Sequence, residues 1–309
     1  MIAFGCAITD DEIYKRCARR GIELAREPDS EVVAIASAGL NNPAGTFRDQ
    51  KLTGSIFRNY NLIIDRVADR EDLEALVLVH QDAEIIDADF CQRLRGALAD
   101  PEVAIVGCAG AIGVRSIAWW EGAVTWASFE HRYGEHGGGR IEGPTWDRNA
   151  LPSYGATGEV DTIDGFMLAM SPWAVRELRF DEALGQFHGY DFDICLQTRA
   201  AGKKVVTADM KVIHHHSLDL IGDLGGWIEA HRKVAEKWEG KMPGVGEAAG
   251  DWKERARRAE AEADAARMVA NATELERNAA LEQIEQITSG ASWRMTAPLR
   301  ALKRAFRRR

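Results

Sequence analysis

Four short segments of this 309-residue chain hold side chains suited to acid–base or metal chemistry, and each follows an apolar run. His80-Gln81-Asp82-Ala83-Glu84 comes directly after the run from Leu73 to Val79. Asp82 and Glu84, two apart, share a face if the backbone stays extended. Their hard oxygens suit Mg²⁺ or Mn²⁺ bridging phosphate oxygens, although two acids after a strand also serve plain solubility. Asp164-Gly165 lies inside Asp161-Thr162-Ile163-Asp164-Gly165-Phe166, where glycine lets a ligand approach the backbone; a simple turn has the same signature. Asp191 and Asp193, in Tyr190-Asp191-Phe192-Asp193-Ile194-Cys195, open a predicted helix whose positive end stabilises acids. Capping accounts for one of them, and a carboxylate beside a substrate hydroxyl can also act as general base. His214-His215-His216 ends a predicted strand, so His214 and His216 point one way and His215 the other. Neutral imidazole is a common metal ligand, and a solvated strand end is the plainer reading.

The elements that must position these groups alternate. Strands are predicted at 2–8, 31–38, 73–80 and 103–110, with helices at 10–25, 55–68 and 88–98 between them. Continuous apolar runs such as Leu73–Val79 are buried on both faces in parallel sheets. Strand and helix in alternation predict an α/β fold with a mostly parallel, doubly wound sheet. In such sheets ligands collect at the carboxyl ends of strands, where the four segments fall. Residues 111–160, with four tryptophans and the run His136-Gly137-Gly138-Gly139, read as a functional loop or lid. Helices around 172–179 and 190–201 and a strand over 204–216 complete the alternation.

The composition changes at Gly240. The chain is read as a main α/β domain over 1–239, which the resemblance described below makes the catalytic domain, a Gly/Pro linker over 240–251, a long helix or coiled coil over 252–288 and a basic amphipathic tail over 289–309. Ala280, Ile284 and Ile287 belong to a heptad seam that Arg277 interrupts, which permits a homodimer. The net charge is −9 overall and +7 in the last 19 residues, so residues 1–290 carry −16. An acidic body excludes a broad nucleic-acid surface, while a basic amphipathic tail suits the anionic face of a membrane. No apolar run reaches the length of a membrane span. The N-terminal residues lack the pattern of a secretory signal, and five widely spaced cysteines without a C-x-x-C pair suit a reducing cytoplasm.

Taken together, the segments resemble the second half of a family 2-type glycosyltransferase. The resemblance rests on D-G-F-M-L-A-M-S-P-W-A (164–174), R-F-D-E (179–182), F-H-G-Y-D-F-D-I-C-L-Q-T-R-A-A-G-K-K-V-V (187–206) and H-H-H-S (214–217), in order and at matching spacing. V-H-Q-D-A-E (79–84) is similar to a variant of the family's Asp-x-Asp motif, as in the group that includes streptomycin-biosynthesis-type proteins. The resemblance covers roughly residues 1–220. It implies a glycosyltransferase A-type fold, a nucleotide-sugar donor and a divalent metal, Mn²⁺ or Mg²⁺.

Residue by residue, it implies Asp82 as metal ligand, Asp191 as catalytic base, His214 as metal or diphosphate contact, and Asp164 and Gly165 as lining of the donor pocket. Glu84 and His216 are further metal candidates, and Asp193 a further donor-binding candidate. Three positions depart from the pattern. His80 stands in place of the first Asp of the metal motif, and Tyr190 in place of the Glu before the base. Ala36-Ser37-Ala38 stands where an Asp-Asp-Gly-Ser type segment contacts base and ribose, which leaves the nucleotide open.

The leading expectation is an inverting glycosyltransferase in the cytoplasm. It would act on a glycan or lipid-linked acceptor in surface-polysaccharide or related synthesis, and the basic tail would hold it at the membrane. The competing expectation, motivated by His80 and Tyr190, is a non-catalytic module that recruits partners through its coiled coil. A sugar-1-phosphate nucleotidyltransferase is disfavoured, because Thr9-Asp10-Asp11-Glu12 is acidic and lacks glycine where a phosphate loop would lie.

Overall fold

The structure, a computed structural model, describes residues 1–36, 54–112, 124–127, 129–133, 139–141, 158–215, 224–241, 274–275 and 277–298. It divides into two compact units, Met1–Arg258 and Ala259–Arg309.

The first unit is built on a seven-stranded sheet. Its strands are β1 (Ile2–Ile8), β2 (Glu31–Ala36), β3 (Ala75–Val79), β5 (Val103–Gly107), β10 (Gly158–Val160), β12 (Met167–Met170) and β13 (Lys204–Thr207). Their spatial order is β10-β13-β5-β12-β3-β1-β2. The pairs β1–β2, β1–β3 and β5–β13 are parallel; β12 runs antiparallel between β3 and β5, and β10 runs antiparallel to β13. Five of the seven strands therefore share one direction, as the alternating pattern predicts. Every residue of β3 is buried. Leu76 and Leu78 face one core, and Ala75, Val77 and Val79 the other, so both faces of the sheet are covered.

Helices α3 (Ile56–Val67), α5 (Pro172–Glu177) and α6 (Tyr190–Ala200) supply the first core. Helices α1 (Asp11–Arg16), α2 (Ala18–Ala25) and α4 (Phe90–Ala97) supply the second. The helix expected over 10–25 is broken at Cys17 (φ −113°, ψ −88°). The break turns α2 onto β4 (Ala83–Ile85) so closely that a Cβ on Gly21 would lie 2.3 Å from the Ile85 backbone nitrogen. Asp10 caps α1 by accepting the N–H groups of Glu12 and Ile13.

Two expected single strands are each divided between sheets. Residues 103–110 split at Cys108 into β5 and the start of β6 (Ala109–Ile112), which joins β7 (Val124–Ala127) and β11 (Thr162–Ile163). Residues 204–216 split into β13 and β14 (Val212–His214), which joins β4, β8 (Phe129–Tyr133) and β9 (Gly139–Ile141). The segment read as a loop over 111–160 thus contains β7, β8, β9 and β10. These strands are three to five residues long, too short to leave a periodic signal between glycines and tryptophans. The rest of that loop reading, the segment 37–53, and most of the linker and of the expected long helix lie outside the described residues.

Helix α7 (Leu224–Trp238) closes the first unit. Its Val234 enters the core beside α6. In the second unit, residues 277–289 are helical and Ala291–Met295 form a short further helix. Among the described residues no helix is long and apolar enough to cross a membrane.

Candidate active site

The site forms where the carboxyl end of β3 meets three other segments. β12 runs antiparallel to β3, so its first residue, Met167, pairs with the last residue of β3, Val79. This brings the turn 164–166 beside His80, whose backbone N–H donates to the Phe166 carbonyl at 2.9 Å. β14 pairs antiparallel with β4 in a register that sets His214 opposite Ala83, and the His215 N–H donates to the Asp82 carbonyl at 2.8 Å. Gln81 ties the same corner to β1: its Oε1 accepts the N–H groups of Thr9 and Asp10, and its Nε2 donates to the Thr9 hydroxyl.

These pairings gather His80, Asp82 and His214. Asp82 Oδ1 lies 3.9 Å from His80 Nδ1 and 3.7 Å from His214 Nε2, and donor atoms of all three fall within 4.8 Å of one another. A cation bonded at about 2.1 Å needs its donors roughly 3.0–3.4 Å apart. The donors must therefore draw together by about 0.3–1.8 Å to seat one, and two imidazoles with one carboxylate are a chemically suitable donor set.

Burial pushes His80 down to about 4, with His214 adding to the shift and Asp82 opposing it. The ring is thus neutral at pH 7, the form that binds metals. Burial also acts to lower His214, but the Asp82 carboxylate, by charge and hydrogen bond, and Asp164 carry it above the usual imidazole range. The His214 ring stacks on Phe166 at 4.6 Å and 15°, which fixes its plane.

Asp191 stands in the first turn of α6. Its Oδ2 accepts the Gly165 N–H at 2.9 Å and its Oδ1 the Phe192 N–H at 2.9 Å. Burial raises Asp191 above the usual carboxylate range, against the His231 charge and these two backbone donors. A held carboxylate whose proton affinity is raised toward neutrality is suited to accept a proton from a hydroxyl.

Tyr190 bridges the two groups. It precedes Asp191 in the chain, and its hydroxyl lies 2.5 Å from His80 Nε2. A Cβ on Gly165 would come within 2.3 Å of the same hydroxyl, so glycine is what allows the tyrosine to lie across the 164–166 turn. Asp164, in that turn, accepts the Phe166 N–H at 3.2 Å.

Two expected site residues lie outside this group. Asp82 and Glu84 do not share a face, because the chain turns at 81–82 and the Ala83 N–H donates back to the His80 carbonyl. Glu84 instead pairs with Arg20 at 3.2 Å and with His215 at 2.8 Å. Asp193 is 1% exposed. It accepts from Gln197 (2.7 Å), Lys237 Nζ (3.0 Å) and Trp238 Nε1 (2.8 Å), and so anchors α7 to α6. His216 lies outside the described residues.

From the sequence alone His80 reads as a departure, not as a donor. The signal was its position, directly after a buried strand and two residues before Asp82. His231 on α7, buried and packed near Phe192 and His188, carried no motif that singled it out.

The family model described as "Glycosyltransferase like family" matches residues 3–220. Streptomycin biosynthesis protein StrF from Streptomyces griseus is 27% identical over 221 residues, which span 70% of this chain and 67% of that one. Among solved structures, GalNAc-T7 with UDP, GalNAc and Mn²⁺ superposes with a TM-score of 0.52 at 11% identity, covering 84% of this chain. This chain spans about half of that one, 54%. The mannosyltransferase PcManGT from Pyrobaculum calidifontis, in complex with GDP-Man and Mn²⁺, gives a TM-score of 0.45 at 14% identity over 96% of this chain and 84% of that one.

Proposed function

The chain belongs to the glycosyltransferase-like family, and from that premise we propose that it is a metal-dependent, inverting glycosyltransferase. It moves a sugar from a nucleotide-sugar donor to a hydroxyl of a glycan or lipid-linked acceptor. The observation that carries this reading is the single connected site: His80, Asp82 and His214 at one end, Asp191 at the other, and Tyr190 between them.

In this reading Asp82 and His214 would hold a divalent cation, Mn²⁺ or Mg²⁺, whose charge would offset that developing on the leaving diphosphate. That GalNAc-T7 was solved with UDP and Mn²⁺ on a similar fold supports this choice of cation and donor class. Asp191 takes the acceptor proton. Asp164 and Gly165, on the turn that carries both the Asp191 contact and the Tyr190 ring, line the donor-sugar pocket. Surface-polysaccharide or related glycoconjugate synthesis, at the cytoplasmic face of a membrane, is the setting we propose for the acceptor. Within the second unit, Leu281, Ile284 and Ile287 are each more than half exposed. A second copy of this helix would cover them, which adds a homodimer to the proposal. The basic tail would meet the anionic lipid surface.

The test is release of nucleoside diphosphate from UDP-, GDP- and dTDP-sugars, with Mn²⁺ and with EDTA, in wild-type protein and in Asp191→Asn. Metal-dependent release from one donor class that is lost in Asp191→Asn supports the proposal. No release from any donor, with the fold intact, returns the chain to the reading of a non-catalytic assembly module.

A further inference from the structure

His80 and Tyr190 touch each other, and this contact has a chemical consequence for the cation. His80 presents Nδ1 toward Asp82, at 3.9 Å, and Nε2 toward the Tyr190 hydroxyl, at 2.5 Å. Only one ring nitrogen of a neutral imidazole carries a proton, and a phenol hydroxyl can either accept or donate. A metal-ligating histidine characteristically donates its other N–H to a fixed acceptor, which sets the tautomer and the ring plane.

We propose that Tyr190 is that acceptor: it holds His80 in the Nε2–H tautomer, so that Nδ1 completes a two-imidazole, one-carboxylate donor set that selects Mn²⁺ or Co²⁺ over Mg²⁺. The inference rests on the reading above that Asp82 and His214 hold a divalent cation.

The tyrosine is built for a fixed role. It is 4% exposed, and Phe57, Tyr60 and Phe180 pack on it edge-on, with ring centroids 6.0, 5.5 and 5.9 Å away. Gly165 leaves room for its hydroxyl. A phenol confined in this way cannot swing aside when a cation draws His80 inward. Selectivity follows from the donor set. Mg²⁺ favours carboxylate, carbonyl and water oxygens, whereas imidazole nitrogen binds later first-row ions more strongly. A donor set with two imidazoles and a single carboxylate therefore disfavours Mg²⁺.

The test is isothermal titration of metal-free full-length protein with Mn²⁺, Co²⁺ and Mg²⁺, alone and with UDP or GDP present, alongside the visible absorption of the Co²⁺ form. Wild type should bind Mn²⁺ at least about tenfold more tightly than Mg²⁺. Tyr190→Phe keeps the ring and removes only the hydroxyl, and should weaken Mn²⁺ binding about 10–100-fold with circular dichroism unchanged. His80→Asp should narrow or reverse the Mn²⁺ preference and alter the Co²⁺ spectrum.

The proposal is overturned by Tyr190→Phe binding Mn²⁺ as wild type does, by His80→Asp keeping the wild-type preference, or by no metal binding with or without nucleotide. Donor turnover alongside metal affinities indifferent to both substitutions would remove this inference and leave the transferase reading standing. Metal affinities that respond as described, with no donor bound or consumed, would do the reverse.

Discussion

The Tyr190 hydroxyl lies 2.5 Å from His80 Nε2, and the next residue in the chain, Asp191, accepts the Gly165 N–H at 2.9 Å. Two residues 110 positions apart are therefore partners in the fold. Their contact joins the candidate metal ligands to the candidate base through one turn of helix.

Asp191→Asn should abolish transfer and stabilise the protein. The amide oxygen can still accept the Gly165 N–H, so the fold persists, but no base remains and turnover falls about 10²–10⁴-fold. The folded-state pKa of Asp191 is raised by burial, so ionising it opposes folding. Its stabilising contribution is present below the unfolded carboxylate value and is lost as pH rises through the folded one. The variant should therefore melt above wild type at pH 7, and the difference should vanish below about pH 4. Thermal melts over pH 3–8 check both parts.

In wild type the same raised value predicts that turnover climbs with pH above the ordinary carboxylate range, as Asp191 loses its proton. His231→Gln removes the α7 charge that works against the shift, so the rising limb should move to higher pH. A pH profile of the turnover rate for the two proteins would show this. Superimposable profiles would remove His231 from the account.

Gly165→Ala should damage the site more than its size suggests. The added methyl falls 2.3 Å from the Tyr190 hydroxyl, so the ring must move and the contact with His80 must break. Overpacking of this kind costs about 1–3 kcal/mol. Denaturant unfolding should show that loss, and metal affinity should fall with it.

Asp193→Ala should unfold readily. It leaves the Trp238 N–H without its acceptor and takes one of two carboxylate partners from Lys237. Losing hydrogen-bond partners of a buried carboxylate in this way costs about 1–3 kcal/mol, since Lys237 is partly exposed and keeps Asp181. Asp193→Asn, which keeps an acceptor, should lose less stability and retain donor affinity within about twofold, because the carboxylate is committed to α7. Urea titration and donor titration measured together distinguish anchoring from donor binding.

The parts of the fold most legible in the sequence are those with a strong local period. β1, β3 and α3 stand out because their buried residues run continuously or recur at helical spacing. Breaks inside such runs were not legible. Cys17, Cys108 and the 208–211 segment each redirect the chain for a tertiary reason, namely that a helix must reach β4 or a strand must change sheets. In the site, Asp82, Asp191 and His214 were legible because each sits where a motif places it. The partition of Asp82 from Glu84 was not, because it depends on a tight turn held by the His80 carbonyl. The His80–Tyr190 contact was also hidden, because 110 residues separate the two and only tertiary packing brings them together.

The most direct test of the central claim is a thermal-shift panel of UDP-, GDP- and dTDP-sugars with Mn²⁺ or with EDTA, on wild type and Asp82→Asn. A ligand that binds the native state raises the melting temperature by mass action. The account predicts that one nucleotide class stabilises wild type only when Mn²⁺ is present, and that Asp82→Asn loses this stabilisation. Equal stabilisation with EDTA, or an unchanged response in Asp82→Asn, would contradict it.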